Sequence, residues 1–115
     1  MNVLSKVQMD LIESSARAAF PDFECLDVRG GEVLLCKKYG VDERFNPLEN
    51  LVDALSLAKE LDIGFSGFGG AWASANKSFV NKTISVLCGG DDDLVKYHSC
   101  HPLCVAITLC AAATL

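Results

Sequence analysis

The chain has 115 residues, half of them hydrophobic, and a formal net charge of −5. This composition is globular rather than disordered, and the length predicts one domain, residues 1–115, that can bury its own core. The acidic balance argues against direct nucleic-acid binding, which needs clustered lysines and arginines, and favours a partner with a basic groove.

The N-terminal segment predicts a cytoplasmic protein. Residues 1–15, MNVLSKVQMDLIESS, alternate polar and apolar side chains and lack the apolar core and cleavage site of a signal peptide. Without export, the six cysteines are expected to stay reduced and to pack as small hydrophobic residues. The longest apolar run, PLCVAITLCAAA, is well short of the ~20 residues of a membrane span, so no membrane association is expected.

The first third of the chain predicts a helix followed by a hairpin. Apolar side chains recur at three- and four-residue steps through residues 3–20, and Asn2 is a candidate cap. Pro21 ends this helix because the residue before a proline avoids helical backbone. Segments 23–28 and 32–39 then read as two strands, and the glycines of RGG between them fit a tight turn.

The strongest helix signal is FNPLENLVDALSLAKELDI, residues 45–63. Asn46 is predicted as the N-cap, Pro47 as the first helical residue and Glu49 as the second partner of a capping box. Apolar residues from Leu48 to Leu61 then form one stripe, with charged residues off it.

The remaining segments predict strands and a closing helix. Residues 64–79 read as a strand, a turn and a second strand around Trp72, residues 82–88 as a strand, GGDDD as a polar loop and residues 94–99 as a short strand. From Pro102 onward the chain predicts a helix without charged side chains, which is either buried or docked on a partner. The order α-β-β-α-β-β-β-α predicts an α+β layered sandwich, with a mostly antiparallel sheet of about five strands covered by three helices.

Histidines and cysteines are concentrated in HSCHPLC, residues 98–104. Zinc prefers four such ligands, usually in two spaced pairs. The candidate ligands are His98, Cys100, His101 and Cys104. Pro102 starts a helix here, which puts Cys104 in its first turn on an apolar face, and Cys88 upstream stands alone rather than in a matching pair. We therefore expect a helix start with core cysteines, and no metal or other cofactor.

A cysteine–histidine nucleophile pair is the alternative chemistry for the same segment. A thiol at a helix N-terminus has a lowered pKa because the helix dipole stabilises the thiolate. Cys100 or Cys104 would be the nucleophile, with His98 or His101 as its base. No spacing in the sequence supplies an oxyanion hole or a third orienting group, so the chain is not expected to be an enzyme.

Two short stretches are candidates for partner binding. GFSGFGG, residues 64–70, lacks the spacing of a phosphate-binding loop, but its aromatic residues beside glycines suit an adaptable interface as well as core packing. Trp72 is assigned to the core. The acidic run of GGDDD reads as a solvated turn or as a patch that meets basic side chains of a partner. The candidate partner-binding residues are Phe65, Phe68, Asp91, Asp92 and Asp93.

Two segments resemble the phage ABA sandwich domain family. FNPLENLVDALSLAKELDI resembles its helix that opens with an aromatic residue, Asn and Pro, and HPLCVAITLCAAATL resembles its closing, alanine-rich helix. The resemblance covers about residues 41–115. It implies a sheet between helical layers and a small accessory protein of a phage or prophage, with no catalytic residues to carry over. The chain departs from the family in its 64–70 loop and in a last helix without basic residues.

The leading hypothesis is a non-enzymatic phage or prophage protein that binds and inhibits a host protein or ribonucleoprotein complex, such as a CRISPR effector. The resemblance implies the source, and the acidic charge suits a target with a basic nucleic-acid groove. One alternative is a nucleotide or small-molecule binder with a pocket near residues 64–70. Another is a self-associating module that forms a homodimer through its C-terminal helix.

Overall fold

The computed structural model describes residues 5–67, 72–79, 82–89, 95 and 100–115, without the side chain of Trp72. These residues form three helices and two three-stranded antiparallel sheets. The α+β class and the three helices agree with the prediction. The predicted strand over residues 94–99 lies outside the described residues except for Val95, whose backbone is helical rather than extended.

Helix α1 (Lys6–Ala19) begins at a capping box. The Ser5 hydroxyl accepts the backbone N–H of Gln8 at 3.2 Å, and the Gln8 side-chain oxygen accepts the backbone N–H of Ser5 at 2.8 Å. These bonds satisfy two N–H groups that have no partner within the helix. The inner side of α1 is buried around Ile12 and Ala16, as its three- and four-residue periodicity predicted.

Sheet A contains β1 (Phe23–Arg29), β2 (Glu32–Lys37) and β3 (Glu43–Arg44), in that order. Gly30 and Gly31 connect β1 to β2, and both have positive φ, which a two-residue hairpin turn of this kind requires. Val33 and Leu35 are buried, so one face of β2 meets the core and the other faces outward. The hairpin was predicted, whereas the two-residue strand β3 was not.

Helix α2 (Leu51–Leu61) begins later than the sequence predicted. Asn50 is its N-cap, because its side-chain oxygen accepts the backbone N–H of Val52 at 2.9 Å. The prediction of Asn46 as the cap is wrong. The Asn46 carbonyl accepts the backbone N–H groups of Glu49 and Asn50 in a separate turn that precedes the helix.

Sheet B contains β4 (Gly64–Ser66), β5 (Trp72–Ser78) and β6 (Thr83–Gly89). The strand β5 is central, and the register pairs Phe65 with Ala75 and Ala75 with Val86. Ala73 and Ala75 are buried, so this face of the sheet packs on the core, mainly against the C-terminal helix α3 (Pro102–Ala113).

Helix α3 (Pro102–Ala113) lies at the centre of the fold. Eight of its 12 residues are buried, and it contacts α1, α2 and all three strands of sheet B. A helix that is apolar all round is stable in such surroundings. The sequence predicted that this helix is either buried or docked on a partner, and the structure shows that it is buried.

The prediction of one sheet of about five strands is not confirmed, because the described strands form two separate sheets. The main contacts run from sheet A through α1 and α3 to sheet B. The two sheets contact helices rather than each other. Among the described residues, no ladder of backbone hydrogen bonds joins β3 of sheet A to β4 of sheet B.

Candidate functional site

The face of sheet B that points away from α3 is here called the open face. Side chains alternate along a strand, so the neighbours of the buried residues Ala73, Ala75 and Cys88 point outward. Among the described residues, the open face consists of Gly64, Ser66, Ser74, Asn76, Ser78, Thr83, Ser85, Leu87 and the buried Gly89. None of these nine residues is charged. The described part of the open face is therefore a neutral surface of mostly small residues on an acidic protein.

Among the described side chains of the open face, Leu87 is the large apolar one, and 70% of its surface is exposed. Next to it, Ser66 and Ser74 lie directly opposite each other and share a hydroxyl–hydroxyl hydrogen bond of 2.8 Å. Together with Gly67 and Ala73 these residues line a depression of about 120 Å³. This volume is below the ~300 Å³ of small ligand pockets, so the depression suits one inserted side chain better than a nucleotide.

Phe65 lies in β4, which pairs only with β5 among the described strands and so forms an edge of sheet B. Its partner Ala75 is buried, which puts Phe65 on the α3 side of the sheet rather than on the open face. At the edge, Phe65 still exposes 42% of its surface. It therefore lies on the rim between the core and the open face.

The other predicted partner-binding residues, Phe68 and Asp91–Asp93, lie outside the described residues. Their neighbours in the chain are described. Ser66 pairs with Ser74 near the start of β5, and Gly89 pairs with Trp72, so β4 and β6 end on the same side of sheet B.

The predicted cysteine–histidine cluster is divided between core and surface. Cys100 and Cys104 are buried, and Gln8 donates an amide N–H to the Cys100 sulfur at 3.8 Å. His101 is exposed and caps α3, because its Nδ1 accepts the backbone N–H of Leu103 at 3.1 Å. His98 lies outside the described residues. Among those that are described, no three His, Cys, Asp or Glu residues form a group that could hold a metal ion.

The environment of Cys104 is the opposite of an activated nucleophile. Burial raises the pKa of its thiol to about 11, and the neighbouring Cys100 adds to the rise. The position at a helix N-terminus was expected to lower this pKa, but burial dominates. A thiol that stays protonated at neutral pH is a packing group, and the sequence-based expectation of core cysteines is met at Cys104.

A cleft that the sequence did not predict lies between sheet A and the start of α2. It measures about 500 Å³, and its walls include Glu32, Arg44, Asn46, Glu49 and Asp53. No local sequence pattern predicts the cleft, because its walls come from two segments that meet only in the folded chain. The sequence shows the charged residues of these walls, but it does not show that they face one cleft.

Two polar groups of the cleft walls are unusually placed. The backbone N–H of Asn46 donates to Asp53 at 2.9 Å, yet burial still raises the pKa of the Asp53 carboxyl, and the charge of Glu43 adds to the rise. The side-chain oxygen of Asn46 is buried and has no hydrogen-bond partner among the described residues. Buried acceptors of this kind normally have a partner, so the cleft wall retains hydrogen-bonding capacity.

No helix in the described part of the chain combines the length and the apolar character needed to cross a bilayer. The comparisons with known proteins provide no relative: no family model, no curated protein and no solved structure matches this chain.

Proposed function

We propose that this chain is a non-enzymatic phage or prophage protein that binds and inhibits a host macromolecule in the bacterial cytoplasm. The proposed class of target is a defence ribonucleoprotein such as a CRISPR effector. The observation that supports binding most directly is the neutral open face of sheet B with Leu87 exposed upon it. An exposed large apolar side chain on an uncharged face is a candidate anchor, because the cores of protein interfaces are depleted of charged residues.

The distribution of charge supports the kind of partner. The described residues of the open face are uncharged, while the chain as a whole carries a net charge of −5, and the acidic run of residues 91–93 follows β6 in the sequence. The carboxylates of an acidic protein would meet lysines or arginines of the partner. A groove that normally holds a nucleic acid offers those cations, and the carboxylates would speed association and fix orientation.

The phage origin and the family rest on the resemblance of residues 45–63 and 101–115 to the phage ABA sandwich domain. The family's layered arrangement, with a sheet between helices, belongs to the same proposal. The homodimer through α3 has less surface available than the sequence suggested, because most of that helix is buried within its own chain. We therefore place the partner at sheet B rather than at α3.

A reconstitution experiment tests the proposed function. The purified chain is mixed with a panel of guide-loaded effector complexes, and co-elution in size-exclusion chromatography and cleavage of target DNA are measured. We expect one effector to co-elute at a fixed stoichiometry and to lose cleavage. Neither co-elution nor inhibition across a panel that covers the major effector types would contradict the proposed target class.

The residues predicted from sequence have their own test in the same assay. Replacing Phe65 and Phe68 by Ala and Asp91–Asp93 by Asn should abolish co-elution. The loss of the aspartates should act mainly by slowing association at low salt. Unchanged binding by this five-residue variant would show that these residues are not the contact.

Small-molecule binding is the second candidate function, and the cleft between sheet A and α2 favours it. Its volume of about 500 Å³ is in the range of ligand pockets. The cleft differs from the pocket expected near residues 64–70. The cleft walls carry one guanidinium, that of Arg44, and three carboxylates, those of Glu32, Glu49 and Asp53. Because the acidic groups outnumber the basic one, the walls repel phosphate and suit an amine or a neutral polar molecule.

Thermal stabilisation separates the two functions. A ligand at about 100 times its Kd adds roughly 2.7 kcal/mol of stability, which raises the melting temperature by about 10 °C in a chain of this size. A shift with polyamines or amino acids, reduced in a Glu49→Gln variant, would support the cleft. No shift with either these compounds or nucleotides would remove this candidate.

A further inference from the structure

The outer face of sheet A carries two cysteines directly opposite each other. Cys25 in β1 pairs with Cys36 in β2 in antiparallel register, just after a bulge. Val33 and Leu35 are buried, so strand alternation points Cys36 away from the core. Cys25 is exposed and Cys36 is half-buried, and no disulfide joins them in this structure. The pair is therefore accessible to reagents in solution.

The spacing of paired strands suits a bond between these sulfurs. Directly opposite residues of an antiparallel pair have Cα atoms about 4.5 or 5.5 Å apart, depending on their hydrogen-bonding position. Disulfides span Cα separations of about 4.4–6.8 Å, so both separations lie within the range that a disulfide can bridge. The two thiols already interact, because contact with Cys25 adds to the effect of burial on the Cys36 thiol.

We propose that Cys25 and Cys36 form a reversible disulfide by exchange with a low-molecular-weight disulfide such as oxidised glutathione. The Cys25 thiolate attacks one sulfur of the reagent, which creates a mixed disulfide and releases one reagent thiolate. Cys36 then loses its proton, attacks Sγ of Cys25 and expels the second reagent thiolate. The protein loses two electrons, and its two thiol protons end on the two reagent thiols.

The environments of the two thiols set this order. Cys25 is exposed, so it meets the reagent first. Burial, contact with Cys25 and the charge of Asp42 raise the pKa of the Cys36 thiol to about 11, which makes it a poor first nucleophile at neutral pH. Once the mixed disulfide has formed next to it, Cys36 attacks within the same molecule and gains the advantage of proximity.

The other cysteines cannot take the place of this pair. The four remaining cysteines are at most 3% exposed, and they are Cys88, Cys100, Cys104 and Cys110. Oxidation should therefore be selective for the hairpin of sheet A. The site is separate from the open face of sheet B and is independent of the proposed function.

Peptide mapping tests the disulfide directly. The full chain is incubated with oxidised glutathione, remaining thiols are alkylated, and the protein is digested with trypsin without reduction. Arg29 lies between the two cysteines, so peptides 18–29 and 30–37 separate unless the disulfide joins them. We expect the joined pair as the main product, with two reagent thiols released per chain. Separate peptides, or a mixed disulfide that persists on Cys25, would overturn the proposal.

Three variants control for accidental cross-linking. Cys25→Ser should remain unlinked, and Cys36→Ser should stop at the mixed disulfide. In the double variant Cys36→Ser/Leu34→Cys the second cysteine stays on the same face but is diagonal to Cys25. Diagonal neighbours are ~7–8 Å apart, beyond disulfide range, so closure should be at least about tenfold slower. If this variant has a native circular dichroism spectrum and closes as fast as the natural pair, the direct pairing of Cys25 with Cys36 does not determine closure. If the variant does not fold, the two single variants provide the test.

Discussion

The six cysteines differ in exposure, and this difference is a residue-scale property with a direct chemical test. Cys25 and Cys36 lie on the outer face of sheet A, whereas the other four are buried in the core. Iodoacetamide should therefore label Cys25 first in the native protein and Cys36 more slowly, and should reach the core cysteines only after unfolding. The labelled positions are identified by mass spectrometry. Rapid labelling of Cys104 in the native state would contradict its burial.

The second step of disulfide formation should depend on pH through Cys36. Its raised pKa means that the thiolate fraction, and with it the closure rate, grows about tenfold per pH unit from pH 7 toward 10. The groups facing this thiol are Cys25 and Asp42, and Asp42 is itself paired with Arg29 at 3.2 Å. Asp42→Asn removes a negative charge and should lower the pKa, so closure at pH 8 should be faster.

Acid-quenched mass spectrometry measures this closure rate. Asp27→Asn is the matched control, because Asp27 also pairs with Arg29 but does not contribute to the raised pKa of Cys36. A rate that is independent of pH, or an equal effect of both variants, would show that thiolate formation at Cys36 does not limit closure.

At the scale of elements, two asparagines near the start of α2 can be compared. The sequence predicted Asn46 as the N-cap, whereas the structure has Asn50 there. Asn50→Ala should destabilise the protein by about 1 kcal/mol, because it removes the bond to the Val52 N–H. Asn46→Ala should cost less than Asn50→Ala, because the Asn46 side-chain oxygen has no partner among the described residues and its backbone bonds remain. Urea unfolding measures both, and the reverse order would mean that Asn46 is the functional cap.

The central helix α3 provides the second prediction at this scale. Leu103 is fully buried, and Leu103→Ala should cost about 2–5 kcal/mol because it leaves a cavity in the core. Leu109 is on the same helix but only half-buried, so Leu109→Ala should cost clearly less. Equal losses in urea unfolding would contradict the described orientation of α3.

Local elements were predictable where one signal dominated. The periodicity of α1, the paired glycines after β1 and Pro102 at the start of α3 each determine an element from a few neighbouring residues. The cap of α2 was missed because Asn46–Pro47 suits a turn as well as a helix start, and only the bonds of the folded chain distinguish them. The strand β3 was missed because two residues carry no periodicity.

At the scale of the whole molecule, the raised pKa values of the Cys36, Cys104 and Cys110 thiols predict loss of stability in alkali. The pKa values of Cys36 and Cys104 rise from 9.0 to about 11 on folding. Between these values the folded state holds protons that the unfolded chain releases, so this stabilisation is present below pH 9 and is lost as pH rises through 11. Urea unfolding at pH 8 and pH 10.5 should show the loss, and Cys104→Ala should reduce the difference. If the loss of stability between pH 8 and pH 10.5 is as large in Cys104→Ala as in the unmodified chain, Cys104 is not a source of that loss.

The arrangement of whole sheets was not predictable from the sequence. Strand periodicity reports which face is buried but not which strands pair, so the division into sheets A and B follows only from contacts across the fold. The candidate surface was predictable in part. Phe65 was singled out and lies at an edge of sheet B, but Leu87 was interpreted as one more strand residue, and its exposure depends on α3 covering the other face.

A pair of matched variants tests whether the open face of sheet B binds the partner. Leu87 and Val52 are both 70% exposed, but Leu87 lies on the open face and Val52 on α2. Both are replaced by Glu, and the affinity for the effector identified by reconstitution is measured by titration. We expect Leu87→Glu to weaken binding at least tenfold, which is about 1.4 kcal/mol, and Val52→Glu to change it by less than about twofold. Equal affinities of the two variants, with both folded, would show that the open face is not the binding surface.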